Sequence, residues 1–170
     1  MSYKDEIKKE IQHILKDKAL ATTILYTYIR NLYEKAIYES KKTGQSIESI
    51  TYEILEGLEE SYEAYPEGLE DVLNKCSMIM IDVVHVSALN SIEKKNQKIL
   101  QAKAELIETL ETEKSYLLEA LYTFKDYAED NTHSNFQKSL HQTESDIIER
   151  IYALAEHIKY YTKTDNQENK

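Results

Sequence analysis

The placement of chain breakers constrains this sequence more than any other feature. Pro66 is the sole proline, and Gly44, Gly57 and Gly68 are the only glycines, so nothing from residue 69 to residue 170 ends a helix on its own account. Lys, Glu, Leu, Ile and Ala fill much of that stretch, and all favour helix. With 41% hydrophobic and 31% charged residues, the chain is too apolar and too regularly spaced for a disordered segment. The expected fold is all-α: an elongated helical bundle of antiparallel hairpins around one very long central helix.

Apolar spacing divides the chain further. Ile7, Ile11 and Ile14, then Leu25, Ile29, Leu32 and Ala36, mark a helical stripe that weakens around Asp17 to Thr23, where two helices meet or one bends. Gly44 suits a helix C-terminus, and Ser46 can cap the next helix, which carries Ile47, Ile50, Ile54, Leu55, Leu58 and Tyr62 on one face. Pro66 and Gly68 then make a turn. From there Met78, Ile81, His85, Ala88, Ile92, Lys95, Ile99, Ala102 and Leu106 alternate in steps of three and four, a heptad seam. An unbroken helix over 67–130 would be about 95 Å long. The division expected is 1–66 for the N-terminal helices, 67–130 for the long helix, 131–162 for a C-terminal helix packing back on 97–128, and 163–170 for a frayed tail, all in one continuous domain. No repeat of fixed period stands out, which argues against a solenoid.

The net charge of −10 argues against a nucleic-acid partner, whose phosphates are bound through Lys and Arg. Lys94, Lys95 and Lys98 are soon followed by Glu105, Glu108, Glu111 and Glu113, so no basic stripe forms. The lone Cys76 excludes an internal disulfide, and its apolar neighbours suit a reduced core residue rather than a nucleophile. No apolar leader opens the chain, and no run is read as approaching the roughly 18 apolar residues of a membrane span; a cytoplasmic location is expected. Cys76 to Leu89 is apolar nearly all round, which suits a centrally buried helix. Fourteen Tyr without Trp, and many Lys and Ile, suggest an AT-rich bacterial genome.

Two carboxylate-x-x-His pairs, Glu10 with His13 and Asp82 with His85, have the spacing by which ferritin-like four-helix bundles hold metal. The plainer reading makes Asp82 and His85 a buried polar pair fixing helix register. With no phosphate loop and no triad, neither an enzyme nor a cofactor is expected.

Residues 97–162 read as a two-helix hairpin whose apolar faces need a partner, so pairing two hairpins into a four-helix bundle predicts a homodimer. Ile99, Leu106, Leu110, Leu117, Leu121, Ile147, Ile151, Leu154 and Ile158 would form that interface. A self-associating scaffold or chaperone-like protein with a protein partner is the leading reading. In helix length and composition, though in no motif, the chain is also similar to phasin-like granule proteins, which implies binding to lipid or a storage granule. The metal-binding bundle is the third.

Overall fold

A computed structural model describes residues 2–15, 21–96 and 103–168. Among them are six α-helices and no strand: α1 (Tyr3–Leu15), α2 (Ala21–Thr43), α3 (Ile47–Ser61), α4 (Leu69–Asn96), α5 (Lys103–Asp130) and α6 (Ser134–Glu168). The local punctuation acts as its chemistry dictates. Gly44 takes φ +77° and its N–H reaches the Ser40 carbonyl at 2.9 Å, closing α2. Ser46 caps α3, its Oγ accepting from the Ser49 N–H at 3.1 Å. Pro66 opens a short 3₁₀ turn, Pro66–Gly68, where its missing N–H costs nothing. No glycine is available after α5, so Thr132 takes φ 55° in that turn.

Side-chain pairs fix how the helices stack. Lys4 meets Glu56 and Glu60 while Lys8 meets Glu60, so α1 and α3 run parallel. Glu59 meets Tyr127 and Tyr52 meets Asp130, joining α3 to α5. In the other layer Arg30 meets Asp82 and Lys41 meets Ser87 (α2 with α4), and Asp82 meets Arg150 and Glu93 meets His157 (α4 with α6). Odd helices therefore form one layer and even helices the other. Successive helices run in opposite directions, as Tyr3 with Glu39 and Lys125 with Glu144 show. Among the described residues α1 does not touch α5 and α2 does not touch α6, so the layers are open stacks rather than a closed ring.

The single very long helix is corrected by this packing. Ser87 and Glu113 both bind the Lys41 ammonium, at 3.0 and 3.3 Å, whereas an unbroken helix would hold residues 87 and 113 about 39 Å apart. α5 therefore runs back alongside α4; residues 97–102 lie outside the described residues. Nor does helix stop before the tail: α6 continues to Glu168, with no Gly or Pro to end it. The lack of a sequence repeat argues against a solenoid, yet the three helix pairs stack in that manner, with unequal helix lengths.

One continuous core runs from Ile7 to Ile158. Its centre is α4, which packs against α2, α3, α5 and α6. That explains why Leu73, Cys76, Met80, Ile81, Val84, Ala88 and Ile92 are all buried on a broad arc. The seam is shifted from the heptad reading, for Met78 is 49% exposed while Met80 is buried. Pro66–Lys94 also contains a window of 18 residues with mean hydropathy 1.4, enough by length and composition for a membrane span, which corrects the expectation that no run qualifies. Half of that window is buried against the other helices.

Gly57 marks a close approach of α1 and α3. A Cβ built there would lie 3.1 Å from Ile7 Cβ and from the Lys4 carbonyl oxygen, so α1 can settle onto α3 only over a bare Cα.

Candidate interaction groove and the clasp beneath it

Asp82 sits on the outer side of α4, between α2 and α6. Arg30 donates to its Oδ2 at 2.8 Å from one side, and Arg150 donates to its Oδ1 at 3.0 Å from the other. Arg150 also binds Asp146 Oδ2 at 2.8 Å and His85 Nδ1 at 2.7 Å. A guanidinium can only donate, so His85 Nδ1 accepts and the imidazole is neutral, with its proton on Nε2. Burial and the positive Arg150 both hold His85 below the usual histidine range, against Asp82 and Asp146. Its Nε2 is buried without a hydrogen-bond partner. Burial raises the Asp82 carboxyl, but the hydrogen bonds from Arg30 and Arg150 outweigh it and leave the group below its ordinary range.

The pair read as Asp82 with His85 is thus a clasp whose shared partner is Arg150. Nothing in the local spacing points to Arg150, because it lies 68 residues from Asp82 in the chain. The same arrangement engages one of the two carboxylate-x-x-His pairs and leaves the other apart from it. Asp82 is occupied by two cations and His85 by a third contact, while Glu10 and His13 are exposed on α1, which does not touch α4. Among the described residues no group of three or more His, Cys, Asp or Glu converges as a metal site. Cys76 is fully buried, and desolvation pushes its thiol up to about 12, so it is a poor thiolate source at neutral pH.

A second polar knot fastens the far end of the stack. Glu59 accepts from Tyr127 at 2.7 Å and is bonded to His133 Nε2, while His133 Nδ1 lies 3.8 Å from Glu70. Three helices and the turn before α6 meet there.

Beside the Asp82 clasp, α2 and α4 leave a groove of about 750 Å³ open to solvent. Buried Ile37 and Val83 form its floor, and Tyr38, 61% exposed, and Val86, 44% exposed, stand in its walls. Its rim carries Arg30, Lys41, Lys42 and Lys94 against Glu34 and Glu93. The Lys42 ammonium lies 4.3 Å from the Tyr38 ring centroid. Its hydrogen bond to the Tyr38 hydroxyl, together with its charge and that of Lys94, lowers the Tyr38 pKa. Lys41 turns away from the rim to Glu113, which is only 4% exposed.

The residues expected to join two copies are instead inside the molecule. Leu106, Leu117, Leu121, Ile147, Leu154 and Ile158 are buried, Leu110 and Ile151 are partly buried against the same core, and Ile99 lies outside the described residues. The physical reason is that α3 lies on α5, and α4 lies on both α5 and α6, so the hairpin is already covered. Large apolar side chains remain exposed on the far side, among them Ile107 and Tyr122 of α5 and Ile148 and Tyr152 of α6. Lys125 with Glu144 sets the register that brings Tyr122 about level with Ile148.

Fold and clasp together define an all-α protein of stacked antiparallel helix pairs. No family model, curated protein or solved structure matches the chain.

Proposed function

We propose that the chain is a non-enzymatic interaction protein, a cytoplasmic scaffold or chaperone-like factor that works through exposed helix faces. The observation that carries this reading is where the polar chemistry has gone. Asp82, His85, Arg150, Glu59 and His133 are consumed in tying helices to one another, while the accessible features are a groove and an apolar face. Catalytic sites need polar groups poised toward a cavity, and binding surfaces need accessible apolar area.

Self-association belongs to the same proposal, with its surface moved to the outer side of α5 and α6. Ile148 and Tyr152 stand one turn apart on α6 and Tyr122 is exposed on α5, large apolar side chains of the kind interfaces favour. Light scattering behind size exclusion tests it. A particle of about 40 kDa, twice the chain mass of 19.9 kDa, is expected. It should fall to the monomer in Ile148→Glu/Tyr152→Glu and should not change on adding or chelating divalent metal. A wild-type monomer at all concentrations would remove self-association, and assembly that needs metal would favour the metal-bundle reading.

A further inference from the structure

We propose that a second cavity, where α5 faces α2 and α4, binds a small linear polyamine and that the Glu113 carboxylate holds one of its ammonium groups. The cavity measures about 480 Å³ and is lined by Lys41 of α2, Ser91 of α4, and Glu105, Glu108, Glu113 and Tyr116 of α5. Glu113 sets it apart from an ordinary acidic surface. Its side chain is only 6% exposed, yet just one of its oxygens is satisfied: Oε1 accepts from the Lys41 ammonium at 3.3 Å, while Oε2 is buried with no partner among the described residues. That ammonium is already shared with the Ser87 hydroxyl at 3.0 Å and stands 5.4 Å from the Tyr116 ring centroid. A buried carboxylate oxygen without a donor is destabilising, and a cation with N–H groups to donate relieves it best.

The lining selects the kind of cation. Three carboxylates face one ammonium, and among the described residues Glu105 and Glu108 have no basic partner. They precede Glu113 by eight and five residues on α5, about 12 and 7.5 Å along the helix. Those separations are too long for one metal ion to take all three carboxylates, and among the described residues no cluster of three or more metal-ligating side chains converges. A chain of methylenes carrying an ammonium at each end and another between them can meet all three, since every ammonium is a compact charge with several donors. The Tyr116 ring gives the methylenes an apolar wall.

Isothermal titration calorimetry of the full chain with spermidine, putrescine and MgCl₂ tests the site, at an ionic strength of about 0.15 M so that attraction to exposed charge is screened. Spermidine should bind at one site per chain and more tightly than putrescine, which has one ammonium fewer. Glu113→Gln keeps the side-chain shape and should weaken spermidine at least about tenfold, a loss of about 1.4 kcal/mol. A thermal melt checks its fold, and Glu105→Gln/Glu108→Gln, at exposed positions, carries the test if that variant melts early. The double variant should also bind spermidine more weakly, whereas Glu149→Gln, an exposed carboxylate on α6, should leave the affinity unchanged. Absence of spermidine binding, putrescine binding as tight as spermidine binding, or equal affinity in the wild type and the double variant would overturn the proposal. So would an equal loss in Glu149→Gln, which would show attraction to net charge alone, or displacement of spermidine by equimolar Mg²⁺, which would make this a metal site. The Ile148 and Tyr152 face takes no part, so this titration and the light-scattering test fail separately.

Discussion

Replacing Asp82 by alanine removes a carboxylate that α2 and α6 both grasp on α4. The Arg30 side chain is 45% exposed, so solvent screening limits that pair to about 0.5 kcal/mol. Arg150 is only 22% exposed and contributes a charge-assisted hydrogen bond of about 1.5 kcal/mol. Asp82→Ala should therefore cost about 2 kcal/mol, or a fall in Tm of about 4–8 °C for a chain of this length. Asp82→Asn keeps the shape and one acceptor and should lose roughly half as much. The pH dependence follows from the depressed carboxyl. Its stabilisation is fully present above the unfolded pKa of about 3.9 and is lost as pH falls through the lower folded value. Thermal melts of wild type and variant, followed by circular dichroism, should differ fully at neutral pH and converge below about pH 4. A Tm unchanged to within about 1 °C would show that Asp82 ties nothing together. A gap that persisted at about pH 2 would mean that packing, not charge, was lost.

Two further outcomes follow from the same contacts. His85 should titrate below about 6.5 in an NMR pH series, and Arg150→Met should raise its midpoint by removing the adjacent cation while Asp82 and Asp146 remain. Because the folded value is the lower one, stability from this group falls as pH drops from about 6.5 toward it; a wild-type midpoint at or above 6.5 would contradict the neutral assignment. Gly57→Ala should destabilise by about 1 kcal/mol despite a helix-propensity gain of similar size, because the new methyl meets the Lys4 carbonyl and Ile7 at 3.1 Å. Urea unfolding measures it, and a more stable variant would show that α1 gives way freely.

What the sequence determined was local. Apolar spacing and the absence of breakers after Gly68 made the chain helical, and Gly44, Ser46 and Pro66 placed the first turns because backbone geometry and capping involve only nearby residues. The apolar stretch from Cys76 to Leu89 also announced the central helix, since a helix with neighbours on most sides needs no polar face. What only the tertiary structure decided was the pairing. The heptad seam through His85, Ile92 and Leu106 is compatible equally with one long helix or with two that fold back, because a repeat of 3.5 residues specifies a buried side and not what buries it. Arg150 could not be assigned to Asp82 and His85, nor Glu59 to His133, because each pairing spans more than sixty residues of chain. The groove depends on the same decision. Tyr38, Lys42, Val86 and Lys94 read as unrelated surface positions until α2 lies parallel to α4, and packing of whole helix faces sets that arrangement.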